Sequence, residues 1–358
     1  MKAALFQQIG HLPAITDLPA PQAGPGDVVV DVAAAPVLAY HREIFSGQRP
    51  MLNEPPFVPG TGAIGRVRTL GEGASALTVG EWVYCDPTLR ARDGQGLPAI
   101  ALQGLTANGS AALPIQRHHR DGSWAEQLRL PLENVTPLGE IAPADASRWL
   151  SLGSMLVPFG GLDSVALRAG ETVVINGATG NFGSAGVAIA LAMGAARVVA
   201  TGRSRASLDL LVGQHGDRVA PAAMTGDEEG DRAAIVAAAG RPIDVLDLLP
   251  PAASVGQVLA AIRSVRPGGR VSLMGGVGMT GGGDLALPYP WLMRNNIMVK
   301  GQWLYPRHAI ATVVALARSG LVDLRPYRVT AFPLSAVEQA IAHAAAESGP
   351  LNKTVICP

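Results

Sequence analysis

The chain is poor in cysteine, in charge and in long apolar runs. Among 358 residues only Cys85 and Cys357 are cysteines. Two thiols exclude a disulfide framework and a Cys-rich structural zinc site, and they fit a reducing, cytoplasmic setting. Charged residues make up 16% of the chain, 28 basic against 28 acidic, so neither sign is in surplus. Recognition of a phosphate backbone needs a basic surplus or stripe, which excludes nucleic acid as a partner. No run of like charges marks an interaction tail. The apolar fraction is 48%, yet 43 glycines and 28 prolines interrupt it. No stretch reaches the ~18 consecutive apolar residues that a membrane span requires. The amino-terminal MKAALFQQIGHLPAI lacks the apolar core of a secretory signal and reads as a first β-strand.

What is present has two textures. From 1 to about 145, short β-branched runs such as DVVVDVAAA, EWVYCD and QLRLPL alternate with Pro and Gly breaks, the pattern of an irregular, mostly antiparallel β domain. From about 146 to 295, strand-like and helix-like stretches alternate. ETVVIN precedes GSAGVAIALAMGA, RVVAT precedes RASLDLLVGQHG, IDVLDLL precedes AASVGQVLAAIRSV, and GRVSLM closes the series. Such alternation predicts βαβ units and a parallel sheet. After 296 the chain returns through NNIMVKGQWL, two helical stretches and the strand NKTVICP. We therefore expect an α/β protein in which a doubly wound, Rossmann-type domain (146–295) is inserted into a β-rich domain formed by 1–145 and 296–358. Segment 94–123 shows no period and reads as a long loop or lobe.

Two glycine patterns compete for a phosphate-binding role. PGTGAIGRV holds a literal G-x-G-x-x-G at Gly60, Gly62 and Gly65. The proline-rich EPPFVPG before it is unfit for a central strand, and AIGRVRTLGEG after it leaves no room for a helix. This match is a decoy. VVINGATGNFGSAG spaces its glycines differently, at Gly177, Gly180 and Gly183, but lies between a buried-type strand and a small-residue helix. A helix amino-terminus there faces phosphates with its N–H groups and its dipole. The candidate cofactor-binding turn is thus Gly177, Thr179, Gly180, Asn181, Phe182 and Gly183, with Ala185 and Gly186 allowing close helix-to-strand packing.

At the end of the next strand an NAD site carries an acid for the ribose hydroxyls. Here the chain reads Gly202, Arg203, Ser204, Arg205. Two guanidiniums and a hydroxyl suit a 2′-phosphate, by charge-assisted hydrogen bonds, so the expected cofactor is NADPH. Arginines at a solvated helix start are the alternative.

Nearly end to end, the chain resembles the medium-chain dehydrogenase/reductase superfamily, and within it the zinc-free, quinone oxidoreductase-like (zeta-crystallin-like) branch. MKAALF, PGTGAIGRVRTLGEGASALTVGEWVYCD, DGSWAEQLRLPLENVTPL, GETVVINGATGNFGSAG, PGGRVSLMGG and FPLSAVEQAIAHAAAESGPLNKTVI carry the likeness. The resemblance implies a GroES-like catalytic domain around the Rossmann domain. In zinc-dependent members the stretch matching Pro59–Gly62 reads Pro-Gly-His-Glu. Here Thr61 and Gly62 stand at those two positions, Leu38 stands near the expected cysteine ligand, and no cysteine lies between 86 and 356. The structural zinc lobe maps near 86–123 without a cysteine, and the adjacent His118 and His119 do not build a tetrahedral site by themselves. No metal is expected.

Without a Lewis acid, hydride transfer to an isolated carbonyl leaves full charge on one oxygen. A quinone or α,β-unsaturated carbonyl spreads that charge, and a modest donor suffices. The expected activity is NADPH-dependent reduction of such a small molecule. Alternatives are an enoyl-thioester reductase, a metal-free alcohol dehydrogenase, or a non-catalytic NADPH-binding protein. The resemblance aligns Tyr40 with a proton-relay hydroxyl; a tyrosine that merely lines the site reads the same. His41 and Glu43 are weaker candidates. The match also implies cofactor contacts at Gly275, Gly276 and Lys353, and a homodimer joined through NNIMVKGQW.

Overall fold

The structure is a computed structural model that describes residues 1–93, 99–249, 254–275 and 284–358. The chain divides into two compact units. The first comprises Met1–Gly153, Tyr327–Ser348 and Asn352–Pro358. Its main sheet is built on Asp27–Val37, an 11-residue strand of valines and alanines buried along most of its length. This strand pairs antiparallel with Ala63–Leu70, Gln127–Pro131 and Asn352–Cys357. Trp82–Cys85 and Val135–Pro137 extend the sheet on one side, and Arg328–Pro333, parallel to Asn352–Cys357, extends it on the other. Phe6, Phe45, Phe57 and Trp124 fill the core against Val28, Val30 and Ala35. Each such side chain, fully buried, contributes roughly 1.5–3 kcal/mol. Trp124 also donates its indole N–H to the Pro36 carbonyl at 3.1 Å, so its polar edge is satisfied.

Of the two readings of segment 94–123, loop or lobe, the structure shows a lobe. Residues 94–98 lie outside the described part. The remainder contributes Ile100–Leu102 and Thr106–Ala107, which form a three-stranded antiparallel sheet with Thr88–Arg90, and the helix Leu113–His118. These elements pack around a small core of their own, Leu89, Ala101, Ala107 and Ala112. Strands of two or three residues are too short to display a period, so sequence reading passes over them.

The second unit comprises Ser154–Pro326 and Gly349–Leu351. Six parallel strands lie in the spatial order Val219–Ala223, Arg197–Gly202, Thr172–Asn176, Val245–Leu248, Arg270–Leu273, Met298–Gly301. The helices Asn181–Ala192, Arg205–His215, Glu228–Ala239 and Val255–Ser264 connect the first five in chain order. Val174, Val199, Leu246 and Val271 pack against Ile235, Val258 and Ile262 on one side of the sheet. The order reverses between Thr172–Asn176 and Val245–Leu248, and open α/β sheets bind ligands at the carboxyl ends of strands beside such a reversal. The two units have the α/β architecture of a Rossmann domain and a GroES-like β domain.

The second domain boundary differs from the expected one. The sequence sets the return to the first domain at 296; the structure sets it near 326. Met298–Gly301 pairs in parallel with Arg270–Leu273 as the sixth strand, and His308–Arg318 belongs to the same unit. Three of the four residues in that strand are exposed, so it lacks the buried apolar run that marks its neighbours. Among the described residues no helix is long and apolar enough to cross a membrane.

The decoy glycines have packing roles. Gly60 and Gly62 have φ of +109° and +79°. A Cβ on Gly60 would lie 2.5 Å from Trp124 Cδ1, and one on Gly65 would lie 2.5 Å from Val30 Cγ1 on the central strand. A strand, Ala63–Leu70, follows them rather than a helix. Gly65→Ala is therefore expected to cost about 1–3 kcal/mol by overpacking. It should lower the urea midpoint and leave nucleotide affinity unchanged; a loss of affinity with full stability would contradict this assignment.

Candidate functional site

The turn Gly177–Gly180 links the central strand Thr172–Asn176 to the helix Asn181–Ala192, and it lies at the reversal point of the sheet. Gly177 has a φ of +78°. A Cβ on Gly183 would lie 2.6 Å from the Ala178 Cα, so the helix start sits on the backbone of the turn. The other three crossover helices are capped by side chains, Ser204, Asp227 and Ser254. The helix at Asn181 is preceded by Gly180 in extended conformation, and no side chain caps it. A helix start of this kind suits a group of negative charge such as a pyrophosphate. Thr179, Asn181 and Phe182 are half-buried around this end, and Gly180 is exposed.

The turn is fastened to the next strand. Ala178 donates its N–H to the Thr201 carbonyl at 2.8 Å, and Gly177 donates to Thr201 Oγ1 at 3.3 Å. A Cβ on Gly202 would lie 2.7 Å from Thr179 Oγ1. The sequence-predicted residues of the turn and of the strand end thus come together. Thr201, which sequence reading did not single out, is the buried residue that joins them. Beyond it, Ser204 Oγ accepts from the Ser207 N–H as a helix cap, and Arg205 pairs with Asp209 at 2.9 Å on the surface. Arg203 is exposed and makes no ion pair among the described residues. Of the two guanidiniums, Arg203 is the one with nothing to release before it meets a phosphate. On the other side of the reversal, Gly275 donates its N–H to the Leu248 carbonyl at 2.6 Å, which fixes the ends of those two strands together. Gly276 lies outside the described residues.

In the first unit, Tyr40 stands at the amino-terminal end of the short helix His41–Ser46. Its ring is half-buried, and its hydroxyl has no hydrogen-bond partner among the described residues. Loss of solvent pushes the phenol up to about 12, with Arg49 opposing and Glu43 adding a smaller effect, so it is a neutral donor across the physiological range. His41, a weaker sequence candidate, is a core residue. It is fully buried, accepts the Leu38 N–H on Nδ1 at 2.9 Å, and sits edge-on to Trp124 with ring centres 4.7 Å apart. Burial holds its imidazole down to about 3, so it stays neutral. Glu43 is engaged with Arg49, accepting from Nε at 2.9 Å.

Where the sequence likeness places a histidine and a cysteine ligand in zinc-dependent members, this chain has Thr61 and, near the cysteine position, Leu38. Among the described residues no group of three or more His, Cys, Asp or Glu side chains is placed to hold a metal ion. The residues present do not fit a catalytic zinc site, which takes about three such ligands.

Lys353 lies on the strand Asn352–Cys357 of the first unit, 8% exposed, with its ammonium 5.3 Å from the centre of the Tyr327 ring. Burial lowers its pKa to about 7. A depressed folded value means that the stability is full above the ordinary lysine range and is lost as pH falls through 7. Lys353→Met should therefore raise the thermal midpoint at pH 6 by more than at pH 10.5; equal shifts at both pH values would show that the ammonium is not desolvated.

The comparisons with known proteins agree with this geometry. Residues 24–140 match the family described as alcohol dehydrogenase GroES-like domain. The L-threonine 3-dehydrogenase of Bacillus subtilis (strain 168) is 25% identical over 380 aligned positions, covering 100% of this chain and 99% of that protein. The acryloyl-coenzyme A reductase of Metallosphaera sedula is 31% identical over 206 positions, 56% of this chain and 57% of that protein. In such partial matches the chain spans little more than half the length of the curated relatives. The thermostable alcohol dehydrogenase of Pyrobaculum aerophilum has the same fold, with a TM-score of 0.77 at 22% identity over 100% of this chain and 99% of that one. The domain match, the full-length relative and the shared fold make the chain similar to alcohol and L-threonine dehydrogenases that carry a GroES-like domain.

Proposed function

We propose that the protein is an NADPH-dependent oxidoreductase that reduces a quinone or an α,β-unsaturated carbonyl without a metal. The observation that supports this reading is the pairing of a glycine-rich turn and uncapped helix start at the reversal of the sheet with Thr61 and Leu38 where the sequence likeness expects zinc ligands. When bound, the dihydronicotinamide supplies a hydride. The turn Gly177–Gly183 holds the pyrophosphate against the helix start, and Arg203 takes the 2′-phosphate, with Arg205 beside it. Gly275, Gly276 and Lys353 are further proposed contacts. Tyr40 donates a hydrogen bond to the acceptor oxygen. That oxygen gains the electron pair displaced when hydride adds to the conjugated carbon, and a proton from the phenol or from solvent completes the reduction. Because the charge is spread through the π-system, one neutral donor is enough, and no cation is needed at the oxygen.

The likeness to an acryloyl-coenzyme A reductase favours a second reading of the same chemistry, with a conjugated thioester as acceptor. The sequence offers no basic stretch for the phosphates of such a carrier. Comparing an enone with the matching enoyl thioester separates the two.

For the partner we propose a second copy of the chain, joined edge to edge along Met298–Gly301. That strand is the last of its sheet, and Tyr289, Met293 and Met298 near it are 73%, 60% and 51% exposed. Protein dialysed against a chelator should consume NADPH with a panel of quinones, enones and enals, at a rate that added zinc does not raise. Tight NADPH binding with no turnover across the panel would instead favour a non-catalytic binding protein. Arg203→Ala should raise the KM for NADPH about tenfold and leave that for NADH unchanged, the effect of one exposed charge-assisted contact. An equal change for both cofactors would remove Arg203 from the phosphate site.

A further inference from the structure

Arg49 is buried in a chain whose guanidiniums are mostly at the surface: its side chain is 9% exposed, against 46–89% for Arg68, Arg92, Arg117, Arg148, Arg205 and Arg325. A buried guanidinium costs several kcal/mol unless its charge is met. Two groups meet it. Its Nε donates to Glu43 Oε2 at 2.9 Å, and its Cζ stands 4.7 Å from the centre of the Tyr40 ring. The backbone repeats the link, because the Arg49 N–H donates to the Glu43 carbonyl at 3.0 Å.

The local chain dictates this return. The helix His41–Ser46 runs for six residues and stops at Gly47, which has a φ of +81°. The chain then doubles back, so that the residue two beyond the stop lies over the residue that precedes the helix. Tyr40, Glu43 and Arg49 form one closed unit within ten positions. His41, whose ring centre lies 6.0 Å from that of Tyr40, sits edge-on to Trp124 and is kept neutral by burial.

We propose that Arg49 is a positioning residue for Tyr40: its guanidinium, anchored by Glu43, clamps the face of the ring and supplies the positive field that offsets the loss of solvent around the hydroxyl. The proposal rests on the reading of Tyr40 as the hydrogen-bond donor to the acceptor oxygen. A guanidinium over an aromatic face is worth about 0.5–2 kcal/mol, more where it is desolvated. The direction agrees: Arg49 is the largest influence opposing the rise that burial imposes on the phenol. A clamped ring also presents its hydroxyl in one direction, which a free tyrosine at a helix start does not.

The test is a double-substitution cycle with an independent spectroscopic arm. Arg49→Met keeps the apolar stem over the ring and removes the charge; Arg49→Lys keeps a charge. Arg49→Met should lower kcat about tenfold with KM for NADPH unchanged, Arg49→Lys should recover part of the loss, and Arg49→Met in a Tyr40→Phe background should have no further effect. Losses that multiply in the double variant would overturn the proposal, since Arg49 would then act elsewhere. In protein labelled with 3-fluorotyrosine, the ¹⁹F resonance lost in Tyr40→Phe identifies Tyr40. Its titration should move to higher pH in Arg49→Met and return toward wild type in Arg49→Lys. An unchanged titration overturns the proposal whatever the kinetics. Full activity in Tyr40→Phe, together with the shifted titration, would end the donor role of Tyr40 and leave the clamp standing.

Discussion

Backbone pressed against backbone at the carboxyl end of the central strand is the constraint on which the nucleotide site depends. Ala178 and Gly177 are tied to Thr201, Gly202 leaves room only for Thr179, and the helix start at Gly183 rests on the Ala178 backbone. A Cβ at Gly183 would meet the backbone of Gly177 and Ala178, and one at Gly202 would meet the Thr179 side chain. The contact fixes the start of the helix Asn181–Ala192, which no side chain caps, at the point where the strand order reverses. It also brings Arg203 to the same strand end as the turn.

The chain carries two glycine patterns, and they differ in physics rather than in letters. Gly60 and Gly62 adopt positive φ where the chain enters a strand beneath Trp124, and Gly65 lets that strand approach the central strand of its sheet. Gly177, Gly180 and Gly183 open a helix instead. The one with the literal fingerprint serves packing, and the one with irregular spacing has the strand before and the helix after that a phosphate turn needs. Context decided between them.

Much of the fold was legible because its signals are long. An eleven-residue, mostly buried strand at Asp27–Val37, and strands alternating with ten- to twelve-residue helices between 172 and 273, leave clear periods. Short or exposed elements left none, which is why Ile100–Leu102, Thr106–Ala107 and the role of Met298–Gly301 were missed. The candidate site was legible where function is written in contiguous residues, as at Gly177–Gly183 and Gly202–Arg203. It was not legible where it depends on a chain reversal. Arg49 meets Tyr40 only because Gly47 turns the chain back, and His41 drops out as a candidate only because Phe45 and Trp124 enclose it. Ser204 and Arg205 have helix-end duties, capping and an (i, i+4) pair, that a phosphate reading of the sequence alone does not separate from ligand contacts.

The chemical account joins these parts. Thr61 and Leu38 offer no imidazole, thiol or carboxylate, Tyr40 in the first unit is a neutral phenol, and the second unit holds a glycine-rich turn with an uncapped helix start. Under the proposed function, conjugate reduction spreads the developing charge through the π-system, so that a single hydrogen bond meets it. The most direct measurement is the position of deuterium in the product when chelator-treated protein reduces an enone with NADPH labelled at the transferring C4 position. Deuterium on the former β-carbon of a saturated ketone is the predicted result; deuterium on the carbinol carbon of an allylic alcohol, formed only after zinc is restored, would contradict it.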